Sequence, residues 1–312
     1  MKIIQTLQSD FKTNTVVTIG TFDGVHIGHK KIIERLVSSA KKNNLKSAIL
    51  TFFPHPRMVL QKDPSIKLLN TLDEKAAILE SLGLDYLVVK KFTKAFSRLS
   101  AEAFVSNILV DTLHAKKVII GYDHHFGRNR TANINDLRDF GKKHDFQVEE
   151  ITAQDINDVS VSSTKIRTAL ENGDIQTANS YLGYHYMLNG TVVHGKGLGK
   201  QIGFPTANLY IAEKYKLIPR HGVYVIKAHI ENETFYGMMN IGTNPTVNET
   251  DTQSVEINFF NLQASLYYKK LTVCMLHRIR DEQKFNSVAD LKIQLQKDKN
   301  AALQYLQTHA NN

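Results

Sequence analysis

The sequence predicts an α/β protein in two parts: a parallel β-sheet covered by helices, then an antiparallel β-barrel with a closing helix. Strand-like runs alternate with helical patterns up to residue 182, after which strand-like runs follow one another with few helices between them. The length of 312 residues also exceeds the ~250–300 at which single cores usually stop growing. We therefore expect one domain over residues 1–183 and a second over residues 184–312.

The first part alternates strand and helix in a regular order. Thr71 and Glu74 have the spacing of a capping box, which marks the start of one helix. The predicted strands are residues 15–19, 47–52, 85–89, 117–120 and 146–151. The predicted helices are residues 29–42, 71–82, 100–113, 134–144, 163–172 and 174–182. Strands that alternate with helices pair in parallel, and such sheets bind ligands at the carboxyl ends of their strands.

The second part has the pattern of an antiparallel barrel or sandwich. Its predicted strands are residues 186–193, 222–230, 234–241, 254–260 and 270–277. Ser287 and Asp290 then resemble another capping box. An apolar stripe on the helix that follows predicts that it packs against the barrel; its members are Val288, Leu291, Leu295, Leu303 and Leu306.

The loop after the first predicted strand has the composition of a phosphate site. Glycines let the backbone approach an anion, and the helix that follows directs amide groups and its dipole at it. The residues we assign to this phosphate loop are Gly20, Phe22, Gly24 and Gly28. His26 and His29 are three residues apart, so one helical turn places both on the same face.

Two further loops at predicted strand ends or helix starts suit an anion. Ser163 and Thr164 open a helix, with Arg167 one turn later, although such hydroxyls are also ordinary helix caps. The loop over residues 121–128 follows another strand, and its two histidines also fit an ordinary surface position. Together these loops suit a reaction that transfers a phosphorus group. If the attacking group is itself a phosphate, it is already ionised, and the site needs aligned charges and no general base.

A second glycine-rich stretch lies in the barrel part. Gly195, Lys196, Gly197 and Gly199 suit a clamp over ATP phosphates, although glycine spacing alone also fits a plain surface loop. Thr206 and Asn208 alternate, so on an extended segment they face the same side. Their oxygen atoms are ligands that Mg²⁺ prefers.

Composition narrows the class of protein. The formal net charge is +9, but the lysines form scattered pairs, which disfavours a nucleic-acid partner. The single cysteine, Cys274, excludes an intrachain disulfide and fits a reducing compartment. We see no signal peptide or apolar run long enough to span a membrane, so we expect a cytoplasmic protein; a homo-oligomer is left open.

These motifs resemble a known family. The string over residues 18–29 resembles the His-x-Gly-His signature of nucleotidyltransferases, whose sheet is Rossmann-like. Together with residues 51–57, 121–127 and 161–167, it resembles the bacterial bifunctional riboflavin kinase/FMN adenylyltransferase family, also called FAD synthetase. The resemblance covers essentially the whole chain. It implies an enzyme that phosphorylates riboflavin to FMN with ATP and Mg²⁺, then adenylates FMN with ATP to give FAD and pyrophosphate.

For the first domain, the resemblance implies that His26 and His29 contact the ATP phosphates and that Asp123 takes a polar position in its loop. It further implies that Ser163, Thr164 and Arg167 hold phosphate. The segment of Pro54, His55 and Pro56 would flank the flavin, although two prolines also make a rigid turn. The chain departs from the family at Phe53, Thr131, His124 and His125.

For the second domain, the resemblance extends to the Pro-Thr-Ala-Asn motif of riboflavin kinase, at residues 205–208. Riboflavin presents a neutral alcohol, so a base helps to remove its proton. Glu256 aligns with the catalytic base of the family, although a lone strand glutamate is more often a surface residue. The resemblance also implies a flavin-binding role for Arg280. Asn258 and Asn261 stand where the family often has His and Asp.

Two other interpretations remain at this point. In one, only one module is active, with FMN adenylyltransferase the surviving activity. The retained residues of both sites argue against this. In the other, the chain is a basic RNA-binding or flavin-binding regulator, which would need a clustered basic stripe interleaved with aromatic residues.

Overall fold

The computed structural model describes residues 1–5, 13–61, 66–121, 124–152, 161–195, 197–244 and 252–309. It divides into two compact units, Met1–Ser163 and Thr164–Asn312. The domain boundary at residues 183 and 184 therefore stays a prediction, since the helices just before it group with the second unit.

A parallel sheet forms the centre of the first unit, as the sequence predicts, and it has six strands. Its strands are β1 (Lys2–Ile4), β2 (Thr15–Ile19), β3 (Lys46–Phe53), β4 (Tyr86–Lys91), β5 (Ala115–Gly121) and β6 (Gln147–Ile151). Their order across the sheet is β1-β4-β3-β2-β5-β6, and neighbouring strands are parallel. The carboxyl ends of β3, β2 and β5 therefore lie side by side. The edge strand β1 was not predicted, because three residues carry too little pattern.

Helices pack on both faces of this sheet. Those that do are α1 (Ile27–Lys42), α3 (Leu72–Ser81), α4 (Ala101–Phe104) and α5 (Ile134–His144). The short helix α2 (Pro56–Leu60) follows β3. Successive strand residues point to opposite faces. Accordingly, Val16 belongs to a core with α1 and α3, and Val17 to a core with α4 and α5.

The helix predicted over residues 100–113 is less regular than expected. Ser100 caps α4 through its hydroxyl, which accepts a hydrogen bond from the Ala103 amide at 3.1 Å. The chain then continues as a π-helix over Val105–Val110, and both Ile108 and its neighbour Leu109 are buried. A wider turn lets adjacent apolar residues face the sheet, and a search for the 3.6-residue period cannot detect this.

A closed antiparallel barrel forms most of the second unit, as predicted. Its strands are β7 (Met187–Val193), β8 (Ala207–Tyr210), β9 (Gly222–Ile230), β10 (Glu233–Asn244), β11 (Thr252–Phe259) and β12 (Lys270–Arg280), closed in the order β10-β11-β8-β7-β12-β9. The helices of this part of the chain are α6 (Ser163–Glu171), α7 (Ile175–Leu182), α8 (Leu198–Gln201) and α9 (Val288–His309). Helix α6 begins at the last residue of the first unit.

The closing helix α9 packs on the barrel through fewer of its apolar residues than the sequence predicts. Leu291, Leu295 and Leu306 pack against the barrel core. Val288 and Leu303 remain 54% and 37% exposed. The buried face of the helix instead contains Ala302 and, unexpectedly, the carboxylate of Asp298.

The cap of α3 gives a test of the first unit. Thr71 and Glu74 form the predicted capping box, with hydrogen bonds of 3.1 Å and 2.9 Å, and both side chains are buried. Thr71→Ala should lower the free energy of unfolding by about 1 kcal/mol, because it leaves a helix-start amide without its acceptor. Ser81→Ala, an exposed hydroxyl on the same helix, should change it by less than about 0.5 kcal/mol. Urea unfolding checks both values, and equal losses would contradict the capping argument.

Candidate functional site

The junction between β2 and α1 holds an unusually tight loop. Phe22, Gly24 and Val25 all have positive φ angles, of 44°, 85° and 37°. Positive φ costs a side-chain-bearing residue energy, and such strain is concentrated at functional sites. A Cβ on Gly20 would lie 2.9 Å from the Phe22 ring. The glycine is therefore required for this packing.

The two predicted histidines come together at the start of α1. His26 is the N-cap, and its Nδ1 accepts a hydrogen bond from the His29 amide at 3.3 Å. The two rings stack with their centroids 3.6 Å apart, and the Phe22 ring packs edge-on against His29 at 5.0 Å. The first turn of α1 contains no acidic residue, so its dipole can face an anion.

Both imidazoles are held neutral. Burial lowers the pKa of His26 to about 4, and the charge of Asp23 opposes this shift only in part. Burial lowers the pKa of His29 well below its usual value, with further lowering from His26 and Lys75. Among the described residues, the buried Nδ1 atom of His29 has no hydrogen-bond partner. Because a buried polar atom without a partner is costly, this atom is suited to a ligand oxygen or a water molecule.

The carboxylate of Asp23 bonds to the protein backbone, which does not suit it to bind a phosphate. It accepts hydrogen bonds from the backbone amides of Leu69 at 3.0 Å and Asn70 at 3.4 Å. Lys75 reaches back to the same loop, with its Nζ donating to the Thr21 carbonyl at 2.7 Å. The residues before and within α3 thus fix the position of the phosphate loop. Sequence reasoning missed both residues, although the capping box next to Lys75 was visible.

The other predicted residues of the first unit lie at neighbouring strand ends. Pro54, His55 and Pro56 follow β3 and are all half-buried. His55 caps the short helix α2, and its Nδ1 accepts a hydrogen bond from the Arg57 amide at 3.2 Å. The loop after β5 begins next to β2, but Asp123 lies outside the described residues.

The start of α6 contacts the same loop. The Ser163 hydroxyl donates to the Asp23 carbonyl at 2.9 Å. This contact places Ser163 beside the phosphate loop within the first unit. Thr164 and Arg167 belong to the second unit, where Thr164 is exposed and Arg167 is half-buried.

The barrel contains a cavity of about 680 Å³. Six of the residues predicted for a nucleotide, metal or base role line it together with Arg280: Gly195, Gly197, Gly199, Thr206, Asn208 and Glu256. Lys196 lies outside the described residues. The sequence positions of these residues are up to 85 apart, from Gly195 to Arg280, so barrel closure is what gathers them.

Strand pairing fixes the polar cluster of this cavity. Glu256 on β11 is directly opposite Asn208 on β8. The Thr206 hydroxyl lies 3.4 Å from a Glu256 carboxylate oxygen. A Cβ on Gly195 would lie 2.1 Å from the Asn208 amide nitrogen, so only glycine leaves room for this side chain. The cluster offers hydroxyl, amide and carboxylate oxygens, which suit a hard cation such as Mg²⁺.

Two side-chain contacts, one of Asn258 and one of Arg280, shape the walls of the cavity. Asn258 donates to the Pro205 carbonyl at 2.8 Å, which holds the backbone just before Thr206. Arg280 forms a two-point ion pair with Asp298 on α9, at 2.8 Å and 2.7 Å. Asp298 is 1% exposed. Asp298 is not predicted from the sequence, because a carboxylate on the apolar face of a helix interrupts the apolar pattern.

Comparison with known proteins gives matches to both units. The family model for FAD synthetase matches residues 8–165, and the model for riboflavin kinase matches residues 182–306. A Listeria monocytogenes protein named bifunctional riboflavin kinase/FMN adenylyltransferase is 39% identical, covering 91% of this chain and 90% of its own. Its namesakes from Bacillus subtilis and Escherichia coli K12 are 37% and 34% identical, covering 94% and 93% of this chain and 93% and 92% of their own.

One solved structure is similar to this chain over nearly the full length of both. It is a Streptococcus pneumoniae protein described as a macrolide-efflux protein, with a TM-score of 0.85 and 29% identity, covering 96% of this chain and 98% of that one. That description differs from both family models. In the ranges that the structure describes, no helix of this chain has the length and apolarity needed to cross a membrane.

The buried state of His26 can be tested by titration. Its proton should bind only near pH 4 in the folded protein, against about 6.5 in an unfolded chain. The unfolded state then binds more protons, so the first unit should lose stability as the pH falls from about 6.5 towards 4. Imidazole ¹⁵N shifts measured against pH, with His26→Asn for assignment, check this. A midpoint near 6.5 would contradict the burial.

The ion pair of Asp298 can be tested against an exposed pair of the same unit. Asp298→Asn leaves the half-buried Arg280 without its counter-charge and should lower the free energy of unfolding by about 3 kcal/mol. Glu231→Gln removes an exposed partner of Lys269 and should cost less than about 0.5 kcal/mol. Denaturant unfolding measures both. Similar losses would show that burial does not strengthen the Arg280 pair.

Proposed function

The chain belongs to the bifunctional riboflavin kinase/FMN adenylyltransferase family, and from this premise we propose that it makes FAD in two steps. The barrel transfers the γ-phosphoryl group of ATP to riboflavin and gives FMN. The parallel-sheet unit transfers the AMP group of a second ATP to the FMN phosphate and gives FAD and pyrophosphate. The observation that carries this proposal is that each unit has its own polar site. The groups in each site suit the reaction step that we assign to that unit.

The adenylyl-transfer step joins two anions. The FMN phosphate attacks the α-phosphorus of ATP, and the bond from that phosphorus to the β,γ-pyrophosphate breaks. The nucleophile is already ionised, so the site needs to align the groups and offset charge on the leaving pyrophosphate. We assign this work to the amides at the start of α1 and to the imidazoles of His26 and His29, with Ser163, Thr164, Arg167 and Asp123 as further phosphate contacts. The segment of Pro54, His55 and Pro56 is assigned to the flavin.

Neutral imidazoles suit this assignment. His29 presents a buried Nδ1 atom without a partner among the described residues. A neutral imidazole can carry its proton on that nitrogen and donate it to a phosphate oxygen. Neutral donors bind an anion without requiring a buried charge in the empty site.

The kinase step begins from a neutral alcohol. The riboflavin hydroxyl loses its proton as it attacks the γ-phosphorus, and ADP leaves. We propose that Glu256, which lines the cavity beside Thr206, accepts this proton. Gly195, Lys196, Gly197 and Gly199 are assigned to the ATP phosphates, and Arg280 to the wall of the flavin site.

The oxygen donors of Thr206 and Asn208 fit Mg²⁺. Their side chains line the cavity next to Glu256, and Gly195 leaves the space that Asn208 occupies. The bound ion would offset phosphate charge during transfer. We place both steps in the cytoplasm, which supplies the ATP that each consumes.

The overall proposal is tested by incubating the protein with riboflavin, ATP and Mg²⁺ and separating the flavins by chromatography. FMN should appear first and FAD second. Without Mg²⁺, riboflavin should remain unconverted. A protein with one active module would stop at FMN or would convert only supplied FMN. Recovery of riboflavin alone, with the metal present, would contradict the proposal.

Two substitutions should separate the steps. His29→Ala should reduce FAD formation by about 100-fold while FMN accumulates, and Glu256→Gln should reduce riboflavin use by about 100-fold while supplied FMN is still converted. His229→Ala and Glu233→Gln, exposed residues on β9 and β10, are matched controls that should leave both rates unchanged. If either site variant abolished both steps in a folded protein, the division of labour would be wrong.

A further inference from the structure

The phosphate loop contains an acidic residue that the proposed chemistry does not use. Asp23 lies between Phe22 and Gly24 and is 2% exposed. A carboxylate at this position would repel the triphosphate of ATP unless its charge were offset. Its hydrogen bonds to the amides of Leu69 and Asn70 fix its orientation, but backbone amides carry no net charge.

Lys75 supplies a charge next to this carboxylate. The residue is 5% exposed, and a lysine is almost never this buried without a partner. Its Nζ donates to the Thr21 carbonyl, two residues before Asp23. Burial lowers the pKa of Lys75, and the charge of Asp23 opposes that shift. The two side chains therefore interact electrostatically across the loop.

Lys75 also influences His29. Its charge contributes to the lowered pKa of that imidazole. The start of α3 is fixed by the buried capping box of Thr71 and Glu74. That cap places Lys75 rigidly, one residue later, against the loop.

We propose that Lys75 is a positioning residue of the adenylyl-transfer site, which fixes the phosphate loop through the Thr21 carbonyl and offsets the Asp23 carboxylate so that the loop accepts ATP. The inference rests on the proposed function of the first unit. Lys75 acts through the loop and its carboxylate, and the phosphate contacts remain those of the loop and the histidines.

A double-mutant cycle separates this role from simple structural support. Lys75→Gln retains a donor for the Thr21 carbonyl and removes the charge. Asp23→Asn retains an acceptor for the Leu69 amide and removes the opposing charge. Lys46→Met, which removes a half-exposed lysine paired with Asp85, is the matched control. For each variant, the KM for ATP is measured in FMN adenylylation and, as an internal reference, in riboflavin phosphorylation.

Lys75→Gln should raise the KM for ATP in FMN adenylylation by about 10-fold, because the Asp23 carboxylate loses the opposing charge of Lys75. Adding Asp23→Asn should return that KM to within about 3-fold of the unaltered protein, since no net charge remains. Riboflavin phosphorylation and the Lys46→Met variant should be unaffected. Additive losses in the double variant, or an unchanged KM in Lys75→Gln, would overturn the inference.

Thermal unfolding of each variant provides the remaining comparison. If Lys75→Gln lowers the melting temperature and the double variant does not recover the KM, then Lys75 has only a structural role and the inference is wrong. If the unaltered protein forms FMN but no FAD from supplied FMN, the proposed function of the first unit fails instead. The two failures are therefore distinguishable.

Discussion

The first site depends on a short strand-to-helix loop that is held in a strained shape and carries the amides and imidazoles that we assign to an anion. Three of the four residues from Phe22 to Val25 have positive φ, which the loop cannot maintain by itself. The support comes from the segment leading into α3, through Asp23 to the amides of Leu69 and Asn70 and through Lys75 to Thr21. Removing either contact would relax the loop and misplace the start of α1.

The two sites differ because their nucleophiles differ. A phosphate that is already ionised needs donors and alignment, and we assign these to a helix start and two neutral imidazoles. An alcohol also needs a proton acceptor, and the barrel cavity contains a carboxylate beside hydroxyl and amide oxygens. The parallel sheet reaches its arrangement by placing neighbouring strand ends together, whereas the barrel reaches it by pairing Glu256 with Asn208 across two strands. Each fold thus provides the geometry that its own chemistry requires.

Much of this architecture is predictable from the sequence, because periodicity and capping residues are local signals. The parallel sheet, the barrel, the capping box at Thr71 and the closing helix follow from such signals. The contacts of Asp23 and Lys75 with distant backbone groups do not, since these hydrogen bonds join residues 46 or more apart in sequence. Asp298 was missed for a related reason: its partner Arg280 lies on another element, so its position on the apolar face looked like an exception. The assigned roles of the site residues stay predictions.

Two different phosphorus atoms of ATP should enter the product, one at each site. Riboflavin should be incubated with the protein and ATP labelled either at the γ-phosphorus or at the α-phosphorus. We expect γ-label to appear in FMN and to persist in FAD, whereas α-label should appear only in FAD. Label from the α-phosphorus in FMN, or FAD that remains unlabelled in either of the two incubations, would contradict this assignment.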